Sequence, residues 1–280
     1  MKLIIHGGFF SESSQHQDVK IAKQKALLNI ASDAYEFLKS HTSLETVVYA
    51  TKLLEDCDLF NAGLGSQIQS DGKIRMSASL MDGKSKKFSG VINVQNIQNP
   101  ILLSEILMQE DDRVLGAEGA NHYAEKKGIP YFNPELPQRR AEYNAKLASQ
   151  GLGTVGCVAL DKDGNIAAAT STGGKGFELI GRISDSATTA GNFANNFCGV
   201  SCTGVGEDIV SVALATKIVT RISDGMSIEK AFEKSFQELK EIDGFAGAIA
   251  IDHKGNVYHQ DSFPYMVWAA ADENSVSCFE

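Results

Sequence analysis

A chain of 280 residues can bury a sizeable core, either as two small domains or as one larger α/β domain. Hydrophobic residues make up 43% and charged residues 22%, ordinary values for a globular protein. The formal net charge of −9 argues against a nucleic-acid surface, which needs clustered Lys and Arg, but leaves room for a small zwitterionic ligand.

At the N-terminus, Leu3-Ile4-Ile5 before His6-Gly7-Gly8 is too short for a signal-peptide core, and no later stretch reaches membrane-spanning length. The five cysteines are scattered without a CxxC pair, and Cys198 and Cys202 lack neighbouring ligand types for zinc. Free thiols in a reducing cytoplasm are expected. Val19 to Ser40 carries apolar residues at helical spacing (Ile21, Leu27, Ile30, Ala34, Phe37 and Leu38 among them). Ser43 to Leu54 reads as a second helix, with Thr42 and Glu45 spaced as a capping box. Ile74 to Met81 alternates like a strand, Asp82-Gly83 is turn chemistry, and Ser89 to Val94 reads as the partner strand. Helices are expected over Pro100 to Gln109 and Ala117 to Lys127.

Between Pro130 and Gly153 the composition turns polar and weakly periodic, as in an exposed connection that a processing event could reach. Thr154 to Leu160 and Ile166 to Thr170 then read as strands around Asp161-Lys162-Asp163-Gly164-Asn165. A similar hairpin recurs with Ala248 to Ile251 and Val257-Tyr258. Helices over Asp208 to Ser223 and Ile228 to Lys240 lie between them. Strand pairs bracketed by helix pairs suggest sheets sandwiched between helical layers.

The density of Gly and Thr from 151 to 206 is unusual. Gly151-Leu152-Gly153-Thr154 sets a hydroxyl at the head of a buried-type strand after flexible glycines, a setting that suits attack on the preceding carbonyl followed by an N→O shift. Cleavage there would free an α-amine of pKa roughly 7.7–8 beside the same hydroxyl, a base ready at neutral pH. Threonines also begin many ordinary strands. Thr170-Ser171-Thr172-Gly173-Gly174 ends the next strand with three hydroxyls, as a ligand-facing or simply polar turn. Arg182 and Asp185, three apart, fit the carboxylate and amine of an amino acid, or an ordinary surface ion pair with each other. Ser201-Cys202-Thr203-Gly204-Val205-Gly206-Glu207 reads as a third polar turn before a helix, suited to a developing oxyanion.

In this order the pieces resemble the plant-type asparaginase and isoaspartyl peptidase family of N-terminal nucleophile hydrolases. The likeness is centred on Gly153-Thr154-Val155-Gly156-Cys157, Asp163-Gly164-Asn165, Ala167 to Gly174, Gly181-Arg182, Asp185-Ser186 and Ser201 to Gly204. Weaker echoes lie in Ile5 to Gly8, Leu59 to Gly63, Met81-Asp82-Gly83 and Glu118-Gly119-Ala120. The resemblance implies an α+β fold, a four-layer αββα sandwich. It also implies one domain cut into 1–153 and 154–280, and a dimer of such αβ units. Thr154 would be the nucleophile, released by cleavage after Gly153, and Thr172 the hydroxyl that orients it, with Asn61 nearby. Arg182 and Asp185 would clamp the substrate carboxylate and amine, with Ile183 and Ser184 in the same loop. Thr203 and the Gly204 N–H would form the oxyanion hole, and Gly206 would close that turn. No catalytic cofactor is implied. A structural sodium ion is, on the loop carbonyls of Leu54, Glu55, Cys57, Phe60, Ala62 and Leu64. The expected substrates are asparagine and β-aspartyl dipeptides. A glycosylasparaginase-like activity and an unprocessed, inactive amino-acid binder are the alternatives. Leu152 stands where the family commonly has His, Phe9-Phe10 where it has small residues, Ser184 for a usual glycine and Val205 for a usual threonine.

Overall fold

The computed structural model describes residues 1–9, 17–145, 153–263 and 265–280; Phe10, Leu152 and the rest of the run from 149 to 151 lie outside the described residues. The first long helices form as their spacing predicts. Helix α1 spans Gln17–Leu38 and α2 spans Ser43–Glu55. The Thr42 hydroxyl accepts the Glu45 N–H, and Glu45 reaches back to the Thr42 N–H, so two otherwise unpaired donors are satisfied. Helices α3 (Pro100–Leu107) and α4 (Ala117–Lys126) also match expectation.

The larger sheet contains β1 (Lys2–Phe9), β2 (Met76–Asp82), β3 (Lys87–Val94), β4 (Val114–Gly116), β5 (Thr154–Leu160), β6 (Ile166–Thr172), β11 (Met266–Ala271) and β12 (Val276–Cys278). Its order is β12-β11-β1-β5-β6-β2-β3-β4, antiparallel except between β3 and β4. Strands from both sides of Gly153 therefore alternate within one sheet. The smaller sheet has the order β10-β9-β8-β7, built from β7 (Asn192–Ala194), β8 (Cys198–Gly204), β9 (Ala246–Asp252) and β10 (Val257–Asp261). Helices α1, α2 and α3 pack on the outer face of the larger sheet. Outside the smaller one lie α6 (Gly206–Val212), α7 (Leu214–Ser223) and α8 (Ile228–Lys240). The result is the expected four-layer αββα sandwich.

The two-residue period of each strand divides the core into three. On β5, Val155, Cys157 and Ala159 face the helices, whereas Val158 and Leu160 join Ile4, Ile166, Ala168, Ile249 and Ile251 between the sheets. On β8, Cys198, Val200 and Cys202 face α7 and α8. Glycine allows the sheets to approach closely. A Cβ on Gly156 would lie 2.0 Å from Ser201 Oγ and 2.5 Å from His6 Nε2, and one on Gly199 would lie 2.9 Å from Val158.

Three expectations need correction. The connection from 130 to 153 contains α5 (Pro137–Asn144). It buries no residue fully, and polar contacts hold it, including Arg139 Nε to Gly65 O at 3.1 Å and Arg140 Nη2 to Gly72 O at 2.9 Å. Apolar periodicity could not reveal such a helix. The single helix expected over Asp208 to Ser223 breaks at Ala213, which is left-handed (φ 50°), and the Ala215 N–H donates to Ala190 O at 2.9 Å. Ser201 to Gly204 is the end of β8, so the polar turn is confined to the residues after it.

Replacing Gly156 by Ala is expected to destabilise the protein by about 1–3 kcal/mol, because the new methyl overlaps Ser201 and His6. Urea unfolding of both proteins checks this; equal midpoints would contradict the close sheet approach.

Candidate active site

Period-two alternation sends Thr154, Gly156, Val158 and Leu160 of β5 towards the smaller sheet. The same rule on β6 points Thr170 and Thr172 inward, and on β8 it points Ser201 and Thr203 inward. The inter-sheet layer thus passes from apolar side chains to a hydroxyl-rich end. Thr154 and Thr172 are register partners, with Thr154 Oγ1 donating to Thr172 Oγ1 at 3.3 Å. The Thr154 N–H donates to Thr203 Oγ1 at 3.4 Å, so the third hydroxyl arrives from the opposite sheet. All three threonines are buried. Thr172 Oγ1 also accepts the Gly174 N–H at 3.2 Å, which leaves its own proton to be directed elsewhere.

Asn61 closes one side. Its amide donates to Gly174 O, its Oδ1 accepts the Gln67 N–H at 3.0 Å, and its backbone carbonyl accepts the Gly173 N–H at 2.9 Å. A Cβ on Gly153 would lie 3.0 Å from Asn61 Cβ, so Gly153 packs directly against this residue. At Gly204, φ is +136°, and a Cβ would lie 2.5 Å from Phe245 O; only glycine fits there.

The clamp residues come together in a way the spacing did not show. Arg182 does not pair with Asp185. Its Nε and Nη2 donate to the two carboxylate oxygens of Glu207, both at 3.0 Å, and Lys175 joins Glu207 at 3.2 Å. The Arg182 fork holds the Glu207 carboxyl down to about 2. Asp185 is almost wholly buried, and burial pushes its carboxyl up to about 6 against the opposing effects of the Ser184 hydroxyl and Arg182. Ser184 Oγ donates to Asp185 Oδ1 at 3.0 Å, while Asp185 Oδ2 has no protein donor among the described residues. A Cβ on Gly206 would lie 2.8 Å from both Arg182 Nη2 and Asp185 Oδ1, so the two charges meet across that glycine. Ile183 is exposed in the same loop.

His6 and Glu207 were not singled out from sequence. His6 is wholly buried and its Nε2 lies 2.9 Å from Ser201 Oγ, which in turn lies 2.7 Å from Thr170 Oγ1. Burial pushes the imidazole down to about 3, offset in part by the Thr154 backbone, so the ring is neutral and serves as a fixed link behind the hydroxyls. Its sequence signals are a polar residue between an apolar run and two glycines and the family echo in Ile5 to Gly8. Glu207 was visible as the acidic residue that opens α6.

The six residues expected to offer carbonyls to a cation lie between the end of α2 and the following 3₁₀ turn. Leu54 and Glu55 belong to the last turn of α2 rather than to the loop. The carbonyls of Leu54, Cys57 and Ala62 accept bonds of 3.2–3.4 Å from Cys57, Phe60 and Gly65, and Leu54 O also takes the Asp56 N–H. A Cβ on Gly63 would lie 2.3 Å from Glu55 O, and one on Gly65 would lie 1.9 Å from Phe60 O. Phe60 and Ala62 flank Asn61, and Leu64 sits in the 3₁₀ turn Gly63–Gly65. This neutral all-oxygen donor set fits a hard cation.

The sandwich and its inter-sheet threonine at the head of a central strand define the N-terminal nucleophile hydrolase architecture. The asparaginase family profile matches residues 1–279. An isoaspartyl peptidase/L-asparaginase of Synechocystis sp. is 44% identical over 96% of this chain and 87% of its own length. An isoaspartyl peptidase of Escherichia coli is 36% identical over 91% of this chain and 88% of its own. The isoaspartyl peptidase/L-asparaginase of Homo sapiens is 34% identical over 98% of this chain and 94% of its own. This chain belongs to the asparaginase family.

Substituting Ser201 by Ala leaves His6 Nε2 and Thr170 Oγ1 without their shared partner in a dry interior, and is expected to cost about 1–3 kcal/mol. Chemical denaturation measures the loss; an unchanged stability would show that the link carries no weight.

Proposed function

We propose that this amidohydrolase cleaves itself between Gly153 and Thr154 and then hydrolyses L-asparagine and isoaspartyl (β-aspartyl) dipeptides. The observation that carries this reading is Thr154 at the head of β5, its hydroxyl on Thr172 of the same sheet and its N–H on the Thr203 hydroxyl of the opposite sheet. In the first event Thr154 Oγ bonds to the Gly153 carbonyl carbon, the C–N bond breaks, and the proton passes to the freed amine. Water then hydrolyses the ester, leaving segments 1–153 and 154–280. In turnover the free α-amine, of pKa roughly 7.7–8 in model compounds, takes the Thr154 hydroxyl proton as the oxygen attacks the substrate side-chain carbonyl. That proton goes to the leaving nitrogen, which departs as ammonia or an amino acid, and water releases aspartate from the ester. Thr203 and the Gly204 N–H face the developing oxyanion, and Thr172 orients the nucleophile.

Arg182 and Asp185 suit the α-carboxylate and α-amine of the aspartyl part. The Leu54, Glu55, Cys57, Phe60, Ala62 and Leu64 carbonyls would hold a sodium ion, whose part is to stiffen the loop that carries Asn61. Five free thiols suit a cytoplasmic setting, and no helix among the described residues is long and apolar enough to cross a membrane. A homodimer of αβ units follows from the family resemblance.

Ammonia release from asparagine and cleavage of β-aspartyl dipeptides test the reading directly. Thr154→Ala is expected to abolish both self-cleavage and hydrolysis; normal turnover by it would remove Thr154 from its role. Arg182→Ala is expected to raise KM about tenfold or more with a smaller change in kcat, since a charge-assisted bond to the substrate is lost. Asp185 is charged above about pH 6 and neutral below it. Only the carboxylate pairs with an ammonium, so KM is expected to rise as pH falls through 6. A KM flat from pH 7 to 5 would exclude Asp185 from amine recognition.

A further inference from the structure

We propose that Phe9, Phe245 and Phe263 form a leaving-group subsite that takes an apolar or aromatic residue on the far side of the scissile β-amide. The proposal rests on the β-aspartyl hydrolase reading above. On β1, Ile4 and His6 face the smaller sheet, and strict alternation would turn Phe9 away from it. The pairing of β1 with β11 shifts register between His6 and Phe9, and Gly8 takes a φ of +87° that favours glycine. This bulge re-aims Phe9 into the inter-sheet face, where it packs with Met266 and its neighbours. A Cβ on Gly247 would lie 3.0 Å from Phe9 Cζ, and Gly247 is the register partner of Thr203. The ring therefore stands beside the oxyanion strand.

From there the aromatic surface continues outward. Phe9 and Phe245 have ring centroids 4.5 Å apart, and Phe245 and Phe263 lie 6.0 Å apart. Phe245 is fixed to the turn after Thr203: its carbonyl accepts the Val205 N–H at 2.9 Å, and its own N–H donates to Asp208 Oδ2 at 2.9 Å. Phe263 is 59% exposed and, with Phe236 and Phe245, lines a cavity of about 580 Å³. The aspartyl end belongs where Arg182 and Asp185 meet across Gly206. Ammonia needs no such wall. The side chain of a departing amino acid does, and an aromatic surface continuous with the oxyanion strand is complementary to an apolar one.

The test compares kcat/KM for β-aspartyl-phenylalanine, β-aspartyl-glycine and asparagine, using the cleaved wild-type enzyme, Phe9→Ala and Phe263→Ala. Phe263 is exposed, so its variant tests the subsite even if Phe9→Ala folds poorly. Wild type is expected to prefer the phenylalanine dipeptide to the glycine dipeptide by about tenfold or more. Each variant is expected to reduce that preference at least about threefold. A wild-type preference below twofold, or equal loss on all three substrates, overturns the subsite while leaving the hydrolase reading intact. No hydrolysis of any of the three overturns both.

Discussion

The two sheets lie close enough for hydroxyls from one to reach the other, and the cluster of threonines proposed as the active site depends on that approach. Gly156 and Gly199 make it possible, since side chains there would overlap the facing strand. Given the approach, period-two alternation does the rest. Residues 154, 170 and 172 of the larger sheet and residues 201 and 203 of the smaller one project into the same layer. Three threonines far apart in sequence then meet at one end of it. Burial matters as much as position, because a hydrogen bond between hydroxyls in a dry interior holds its geometry without competition from water.

Around this centre each charged group has its own hydrogen-bond partner. Arg182 is held by Glu207 through two donors, which fixes the plane of its guanidinium. Asp185 is buried, with one oxygen bonded to Ser184 and the other without a protein donor among the described residues, an arrangement suited to an incoming ammonium. His6 serves differently. Neutral and enclosed, it links β1 to Ser201 and, through it, to Thr170 without carrying charge.

Much of this was legible in the sequence, for physical reasons that also explain the omissions. Amphipathic helices such as α1, α2 and α8 show a clean 3.6-residue period, and the capping box at Thr42 marks its own boundary. The β5–β6 hairpin is announced by its turn chemistry. Strand β1 was not recognised because both faces are buried, so it reads as a short apolar run interrupted by His6 and two glycines. Strand β8 was hidden by small polar residues that face the other sheet rather than water. The break at Ala213 depends on Ala190, which is distant in sequence. At the site, the residue types were readable but their partners were not. The three-residue spacing of Arg182 and Asp185 suggested a pair, whereas the fold gives Arg182 to Glu207.

The central claim is that Thr154 becomes a free N-terminal residue. Intact mass and N-terminal analysis of the purified protein, followed over a period of incubation, tests it most directly. The account predicts conversion of the whole chain into two segments, the second beginning at Thr154, with hydrolytic activity rising in step. An uncut chain that nevertheless hydrolyses asparagine, or activity that appears after a cut elsewhere, would contradict it.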